Sequence, residues 1–559
     1  MTDAEGRIMQ DQQAMTRREW VLLLALVAVA LLLRIGLTQM PRVVKWDESD
    51  YLMLGRNLWR GQGFTTAGYP EVHYPPLLPM LLGATYALVA EPETASNIWY
   101  VVAGALLLLP YYGLARAWYG QRSAAMATAL LVLFPALAVG VLYWGTMSEP
   151  LYLLLIYTGL YSLWLGLHRD QTRYYALAAL MFVLAYLTRP EGIVYWGLFA
   201  LVILLWQWGH GRLRQAATWR HLAAYGAVFV LAALPYIIYL HQHTGQWTFS
   251  GKVGVTLALG EAVIEHDPAA YDIATASLDQ SGHHAIWFSP ERFQAPGMLQ
   301  QVLADPLGFA RRVLTNARTW RSLFFQNTIF PAWLLVVVSL ALFVRPWSRS
   351  RAWQELFLIA AMLPPFAFLA LHIEIRFFAP IFPLLLIWVA RGLDILGMWL
   401  RDTVRGWEIA DFGETSLAAR ALSVLPLIGL LLFFAVAQPI LARSYQQGTD
   451  YSYKEVGLWL KAHSPTEAII LSRDVAVAVY ADRAWVPSPH VDYAALLKYA
   501  RYHKVNYIVT SDREITVLRP MLSMLLDVQD PPREVELVQV IRGVPGQGDG
   551  RTLVYRLRE

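Results

Sequence analysis

The sequence predicts an α-helical polytopic membrane protein with about eleven transmembrane helices, outer-surface juxtamembrane helices and a small C-terminal soluble α/β domain. Three observations carry this. Of 559 residues, 57% are hydrophobic and only 15% charged, a balance seldom met in a soluble protein of this size. Apolar runs of about 20 residues, the length a bilayer core demands, recur from Trp20 to Gln438. From Tyr445 onward the chain turns charged and mixed.

The spans fall near residues 19–39, 97–117, 123–141, 150–167, 174–188, 192–208, 222–240, 328–344, 355–371, 378–392 and 418–439. The first follows Arg17 and Arg18 and has no small-residue cleavage site after its apolar run, which predicts a retained anchor entering from the cytoplasm. Residues 75–90, PPLLPMLLGATYALVA, set the parity of everything after them. If they do not cross, the short loops holding Arg116 and Arg122, Arg169 and Arg173, Arg212 to Arg220, Arg345 to Arg351, and Arg391 to Arg405 are all cytoplasmic, as positive charge prefers. They are therefore predicted to lie along the outer surface. The external segments are then 40–96, the corners 142–149, 189–191 and 372–377, the loop 241–327, and everything after about 440. The expected location is the plasma (inner) membrane, with the amino terminus cytoplasmic and the C-terminal domain extracytoplasmic.

Two domains follow: a transmembrane domain, 1–440, and an extracytoplasmic domain, 441–559. In the second, strand-like runs AIILS, VNYIVTS, EVELVQVI and TLVYRL alternate with helix-like runs 452–462, 492–503 and 515–526. The Gly-rich GVPGQGDG at 543–550 predicts a hairpin loop between the last two strands. It holds neither a phosphate-binding Gly-rich loop nor a metal-ligand cluster.

Composition also excludes. Lys and Arg number 45 against 41 Asp and Glu, and no basic stripe interleaves with aromatics, so nucleic acid is not a partner. Without cysteine there is no disulfide, thiolate nucleophile or Cys-ligated zinc. The 22 Trp and 29 Tyr suit membrane interfaces first and sugar-stacking surfaces second.

Candidate chemistry gathers in the external segments. KWDESDYLMLGRNLW brings Asp47, Glu48 and Asp50 to a helix start just past the first span; alone, such a cluster is as readily an N-cap and dipole complement. GYPEVHYPPLLPML places Glu71, His73 and Tyr74 before a Pro-Pro helix start. The corners YWGTMSEP, LTRPEG and LHIEIRFFAP hold Glu149, then Arg189 and Glu191, then His372, Glu374 and Arg376. A single arginine there would merely snorkel to headgroups. Two arginines against the positive-inside trend, each beside carboxylates, point to function, and Arg34 in the first span could join them. The loop 241–327 carries His241, His243, Lys252, His283, His284 and the amphipathic NARTWRSLFFQ, and is either a lid or a lipid-resting connector. A divalent metal is left open as a cofactor, but the histidines show no ligand register and none is assigned. Carboxylates and guanidiniums together at an outer membrane surface suit transfer of a group from a lipid-linked phosphate to an acceptor hydroxyl.

The WDE after the first span, the HYPPL start, the TMSEPL and LTRPEG corners and IRFFAPIFP together resemble the C-type glycosyltransferase superfold over residues 17–440, nearest the branch of protein O-mannosyltransferases and lipid A aminoarabinose transferase. The resemblance implies a polyprenyl-phosphate sugar donor and an acceptor hydroxyl on protein, lipid or glycan. It puts Asp47 at the active site with Glu48 as neighbour, Arg189 on the donor phosphate at the LTKGP-like corner, and Arg376 as the late basic residue. His73, Tyr74, Glu149, Glu191 and Glu374 complete the expected binding set. Where the aminoarabinose branch has Glu-Lys-Pro-Pro this chain has His73, Tyr74, Pro75 and Pro76, and the WWDYG signature of oligosaccharyltransferases is absent, which argues against en bloc transfer to Asn. In the implied mechanism Asp47 takes the acceptor proton and the anomeric centre inverts in one step. The rival is a transporter or flippase of lipid-linked or anionic solutes; the lack of a repeated half and the one-sided charge argue against it.

Overall fold

A computed structural model describes residues 15–252, 260, 264, 267–286, 298–406, 417–543 and 550–558. Among them, eight helical segments are long and apolar enough to cross a membrane, and the chain is a multi-pass membrane protein.

The first, Arg17–Leu37, starts on a capping box: Thr16 accepts from the Glu19 amide at 3.2 Å and Glu19 from the Thr16 amide at 2.7 Å. Leu22, Leu24 and Leu32 face outward, as a lipid-facing helix requires. Pro92–Leu133 contains the expected span 97–117 and the first part of 123–141, folded about Gly120, whose φ of 78° suits glycine and strains other residues; the rest of 123–141 continues past Pro135 as a π turn, Ala136–Gly140. Helices Glu149–Arg169, Thr172–Thr188, Gly192–Gly209, Ala216–Thr244, Ile381–Gly406 and Leu417–Gln447 match further spans. Two spans are less regular than expected. Residues 328–344 are α-helical only over Leu334–Phe343, and 355–371 divides into Arg349–Met362 and a 3-10 turn, Pro364–Ala370, because paired prolines remove backbone donors. Thr172–Thr188 and Leu334–Phe343 fall below spanning length, so the count of eleven remains an expectation.

Residues 75–90 form the 13-residue helix Leu77–Val89. It rises about 20 Å, short of the roughly 30 Å hydrocarbon core. It lies instead on helix Asp47–Trp59, where Gly55 and Gly83 bring the two backbones into contact and leave no room for a Cβ.

The C-terminal sheet has five strands in the order Ala484–Pro487, Ile469–Ser472, Tyr507–Ser511, Arg551–Leu557, Val535–Arg542, the first three parallel and the last two antiparallel to their neighbours. The four expected strands are present; Ala484–Pro487 and the short helix Ala476–Ala481 were not anticipated. The helix expected at 515–526 is instead a π turn, Glu514–Leu518, and a 3-10 turn, Pro520–Leu526, since Pro520 cannot extend a helix. Most of the expected hairpin loop, residues 544–549, lies outside the described residues.

The sheet docks on the loops of the helical bundle. Tyr480 accepts from the Val44 amide at 2.7 Å and donates to Glu93 at 2.6 Å, Lys454 pairs with Glu93 at 2.6 Å, and Asp482 takes Arg56 at 3.2 Å and Arg60 at 2.9 Å. From the long loop, Asp272 in helix Pro268–Ala276 meets Arg519 and Arg473 at 2.8 Å and His490 at 2.9 Å. Burial raises the Asp272 carboxyl, yet these partners outweigh it and hold it at about 2. A depressed carboxylate contributes fully above its unfolded value of 3.8 and loses that contribution as pH falls through about 2. Asp272→Asn should therefore loosen helix Pro268–Ala276 at neutral pH by about 2 kcal/mol, read as faster amide exchange in that helix. Unchanged exchange would show the contact to be idle.

Candidate active site

The first turn of helix Asp47–Trp59 sets the geometry. Its N-cap, Trp46, has φ 53° and ψ −137°, and the Glu48 amide donates to the Gly145 carbonyl at 3.0 Å, so the corner 142–149 fixes how the helix begins. Asp47 then points into a cavity of about 260 Å³ lined also by Tyr51, His73, Tyr74, Arg189, Glu191, Lys252, Glu374, Arg376, Phe368 and Phe377. A second cavity, of about 450 Å³, shares Asp47, Tyr74, Tyr271, Glu374 and Arg376 with the first and continues to Asp50, Trp46 and the C-terminal sheet. Asp47 stands where the two meet.

Three groups surround that carboxylate. Arg376 lies 3.3 Å from one oxygen and Lys252 4.0 Å from the same atom, while Tyr74 donates its hydroxyl toward the other at 3.2 Å. Burial pushes the Asp47 carboxyl up, but Lys252 and Arg376 more than offset it, and Asp47 is held below its ordinary value. Asp50, one turn on, is pushed well above its own by burial and by Asp47 and Glu71. It contacts the same Tyr74 hydroxyl at 3.1 Å. One hydroxyl proton cannot serve two ionised carboxylates, and of the two it is Asp50 whose protonated form burial and its neighbours favour, which would let Asp50 donate to Tyr74 and Tyr74 to Asp47.

Arg376 is gripped by Glu374 at 2.6 Å, and His372 meets Glu374 at 3.3 Å. Burial raises the Glu374 carboxyl, but Arg376 and His372 bring it far below the usual carboxylate range. Arg189, at the C-cap of Thr172–Thr188, donates to Glu149 at 2.9 Å, Ser148 at 3.0 Å and Glu191 at 3.2 Å. The guanidinium carbons of Arg189 and Arg376 lie over the Phe377 ring, 5.8 and 5.3 Å from its centre. Glu71 caps the Pro-Pro helix start by accepting from the His73 and Tyr74 amides, which aims Tyr74 at the carboxylates.

Asp47, His73, Tyr74, Arg189, Glu191, Glu374 and Arg376 are thus brought together, with Glu149 behind Arg189. Glu48 is not: it is fully buried in a two-point ion pair with Arg42, at 2.8 and 3.0 Å, and lines neither cavity. Its expected place at the site is corrected to a structural one, because the residue after Asp47 faces a different side of the helix. Arg34 likewise donates to backbone carbonyls of Tyr100 and Leu137 inside the bundle. Tyr271 and, from the C-terminal domain, Arg473 and Trp485 were missed; Lys252 was noted only among the polar residues of the 241–327 loop, and Asp50 only as part of the acidic helix start, although its i+3 spacing puts it on the side of Asp47. Among the described residues, no group of three or more His, Asp or Glu is placed to hold a metal ion.

Residues 73–239 match the family described as dolichyl-phosphate-mannose-protein mannosyltransferase. No curated protein matches the chain. Among solved structures, it is similar to ArnT from Cupriavidus metallidurans bound to undecaprenyl phosphate, at 15% identity and a TM-score of 0.56 over 97% of this chain and 98% of that one. It is also similar to the archaeal oligosaccharyltransferase AglB from Archaeoglobus fulgidus, in complex with an inhibitory peptide and a dolichol-phosphate, at 15% identity and a TM-score of 0.55 over 88% of this chain and 70% of that one.

Proposed function

We propose that the chain is a C-type glycosyltransferase that moves a sugar from a polyprenyl-phosphate donor to an acceptor hydroxyl, with inversion; its likeness in fold to ArnT and its match over residues 73–239 to the mannosyltransferase family support this reading. The observation that carries this is the Asp47 carboxylate at the junction of two cavities, with Arg376 and Lys252 against it and Arg189 in the wall of the first cavity. The donor phosphate meets Arg189, Arg376 and Lys252, whose planar or pointed donors match its oxygens. The acceptor oxygen attacks the anomeric carbon from the second cavity, the carbon–phosphate oxygen bond breaks with its electrons going to the phosphate, and Asp47 takes the acceptor proton. Most of the acceleration comes from positioning and from cations at the leaving phosphate.

The arrangement in the membrane belongs to the same proposal. The site gathers at the end of the bundle opposite Arg116, Arg122 and Arg391, which pair with Glu19 and Asp394. That supports a cytoplasmic amino terminus and an external site; the proposal also takes the plasma (inner) membrane as the location, residues 1–440 as the catalytic bundle and 441–559 as an external domain. A tag in the 241–327 loop that reports from the cytoplasm would overturn this orientation. The transporter reading gains nothing here, since both cavities lie at one end of the bundle.

The direct test is incubation of purified protein with polyprenyl-phosphate sugars and acceptor hydroxyls: donor should be consumed without a second compartment. Tyr74→Phe tests the proton order. Losing a hydrogen bond to ionised Asp47 raises its pKa, so the acid limb of the rate profile should move to higher pH, with transfer down about tenfold at neutral pH. Asp47 also faces Arg376, Lys252, Glu374 and Arg189, which the variant leaves in place. An unmoved limb would show that Tyr74 only packs.

A further inference from the structure

Trp46 carries a conformational strain at the start of the helix that bears Asp47. A positive φ of 53° is disfavoured for a bulky residue by about 1–3 kcal/mol. No burial of the ring compensates, since Trp46 is 56% exposed. Two neighbours hold it in place: the Lys45 ammonium lies 4.8 Å from the ring centre, and Gly145, itself at φ 73°, has the indole so near that a Cβ there would meet it at 2.9 Å. The strain therefore presents an open indole in the wall of the larger cavity, one residue from Asp47.

The same cavity holds Tyr271 and Trp485, the latter fixed by its ring N–H donating to Ser472 at 3.1 Å. Its charges nearly balance. With Asp50 protonated, Asp47, Asp272 and Glu374 face Arg376, Arg473 and Arg519. Aromatic platforms with a few polar groups between them and no net charge suit a ligand with apolar ring faces and neutral hydroxyls. A phosphorylated lipid or a charged peptide would meet no net opposite charge.

Resting on the glycosyltransferase reading, we infer that this chamber, walled by Trp46 on one side and the C-terminal sheet on the other, binds the acceptor as a neutral carbohydrate whose ring stacks on Trp46 and whose hydroxyl meets Asp47. At about 450 Å³ the chamber has room for more than one sugar ring.

The full-length protein in detergent is titrated by saturation-transfer NMR with neutral oligosaccharides of glucose, mannose, galactose and N-acetylglucosamine, with a Ser/Thr peptide, and with undecaprenyl phosphate. At least one neutral oligosaccharide should bind. Trp46→Ala should weaken it tenfold or more and Trp46→Phe less, while both variants still bind undecaprenyl phosphate. Absence of saccharide binding, binding of the peptide alone, or saccharide binding undiminished in Trp46→Ala overturns the inference. If wild-type protein fails to bind undecaprenyl phosphate, the donor reading falls, and the inference with it.

Discussion

Asp47→Asn is expected to lower the turnover of sugar transfer by about 10²- to 10⁴-fold, the range for loss of a positioned general base, while leaving donor affinity the same or tighter. The two halves of this result have one origin. Asp47 is the anion that Arg376 and Lys252 share at 3.3 and 4.0 Å. Replacing it with a neutral amide of the same shape removes the proton acceptor but releases positive charge toward the donor phosphate. Because those cations hold the Asp47 carboxyl below its ordinary value, the ionised, competent form is present throughout the neutral range and is lost only as pH falls below that of a usual aspartate. A base so weak receives its proton late, when the acceptor oxygen has already bonded to carbon. Folded Asp47→Asn protein with near-normal turnover would remove Asp47 from the chemistry altogether; a raised donor KM with unchanged turnover would make it a binding group.

What the sequence revealed and what it hid follow from how far each signal travels along the chain. The helical bundle was legible because every span carries its own apolar record, and Arg189 and Arg376 because each sits in a short polar corner with its carboxylate partner two residues away. Glu48 was misassigned because adjacency in sequence is not adjacency on a helix: neighbours differ by about 100° in direction, so Asp47 reaches the cavity and Glu48 reaches Arg42. Asp50, three residues on, returns to the side of Asp47. Lys252 stood out only as one cation of the 241–327 loop, since it arrives from some two hundred residues away with no pattern to tie it to Asp47. The strand bearing Trp485 is four residues long and ends in proline, too brief to announce itself. The C-terminal domain, whose sequence offers neither a phosphate-binding loop nor a metal-ligand cluster, supplies a wall of the larger cavity.

Arg189→Ala should cost about 3–5 kcal/mol in stability, the penalty for removing one partner of a buried ion pair, besides its loss of donor phosphate binding. Glu149, 1% exposed, accepts from Arg189 at 2.9 Å and from the Thr146 hydroxyl at 2.7 Å. Without the guanidinium, a buried carboxylate keeps one neutral donor. The effects on folding and on transfer are separable through that carboxylate. Glu149→Gln removes the stranded charge, so the double variant Arg189→Ala, Glu149→Gln should recover melting temperature relative to Arg189→Ala, with a coupling of about 0.5–3 kcal/mol. Transfer should not recover with it, because the cation that meets the phosphate is still missing. If transfer returns together with stability, Arg189 only holds the corner in shape, and the donor phosphate depends on Arg376 and Lys252 alone.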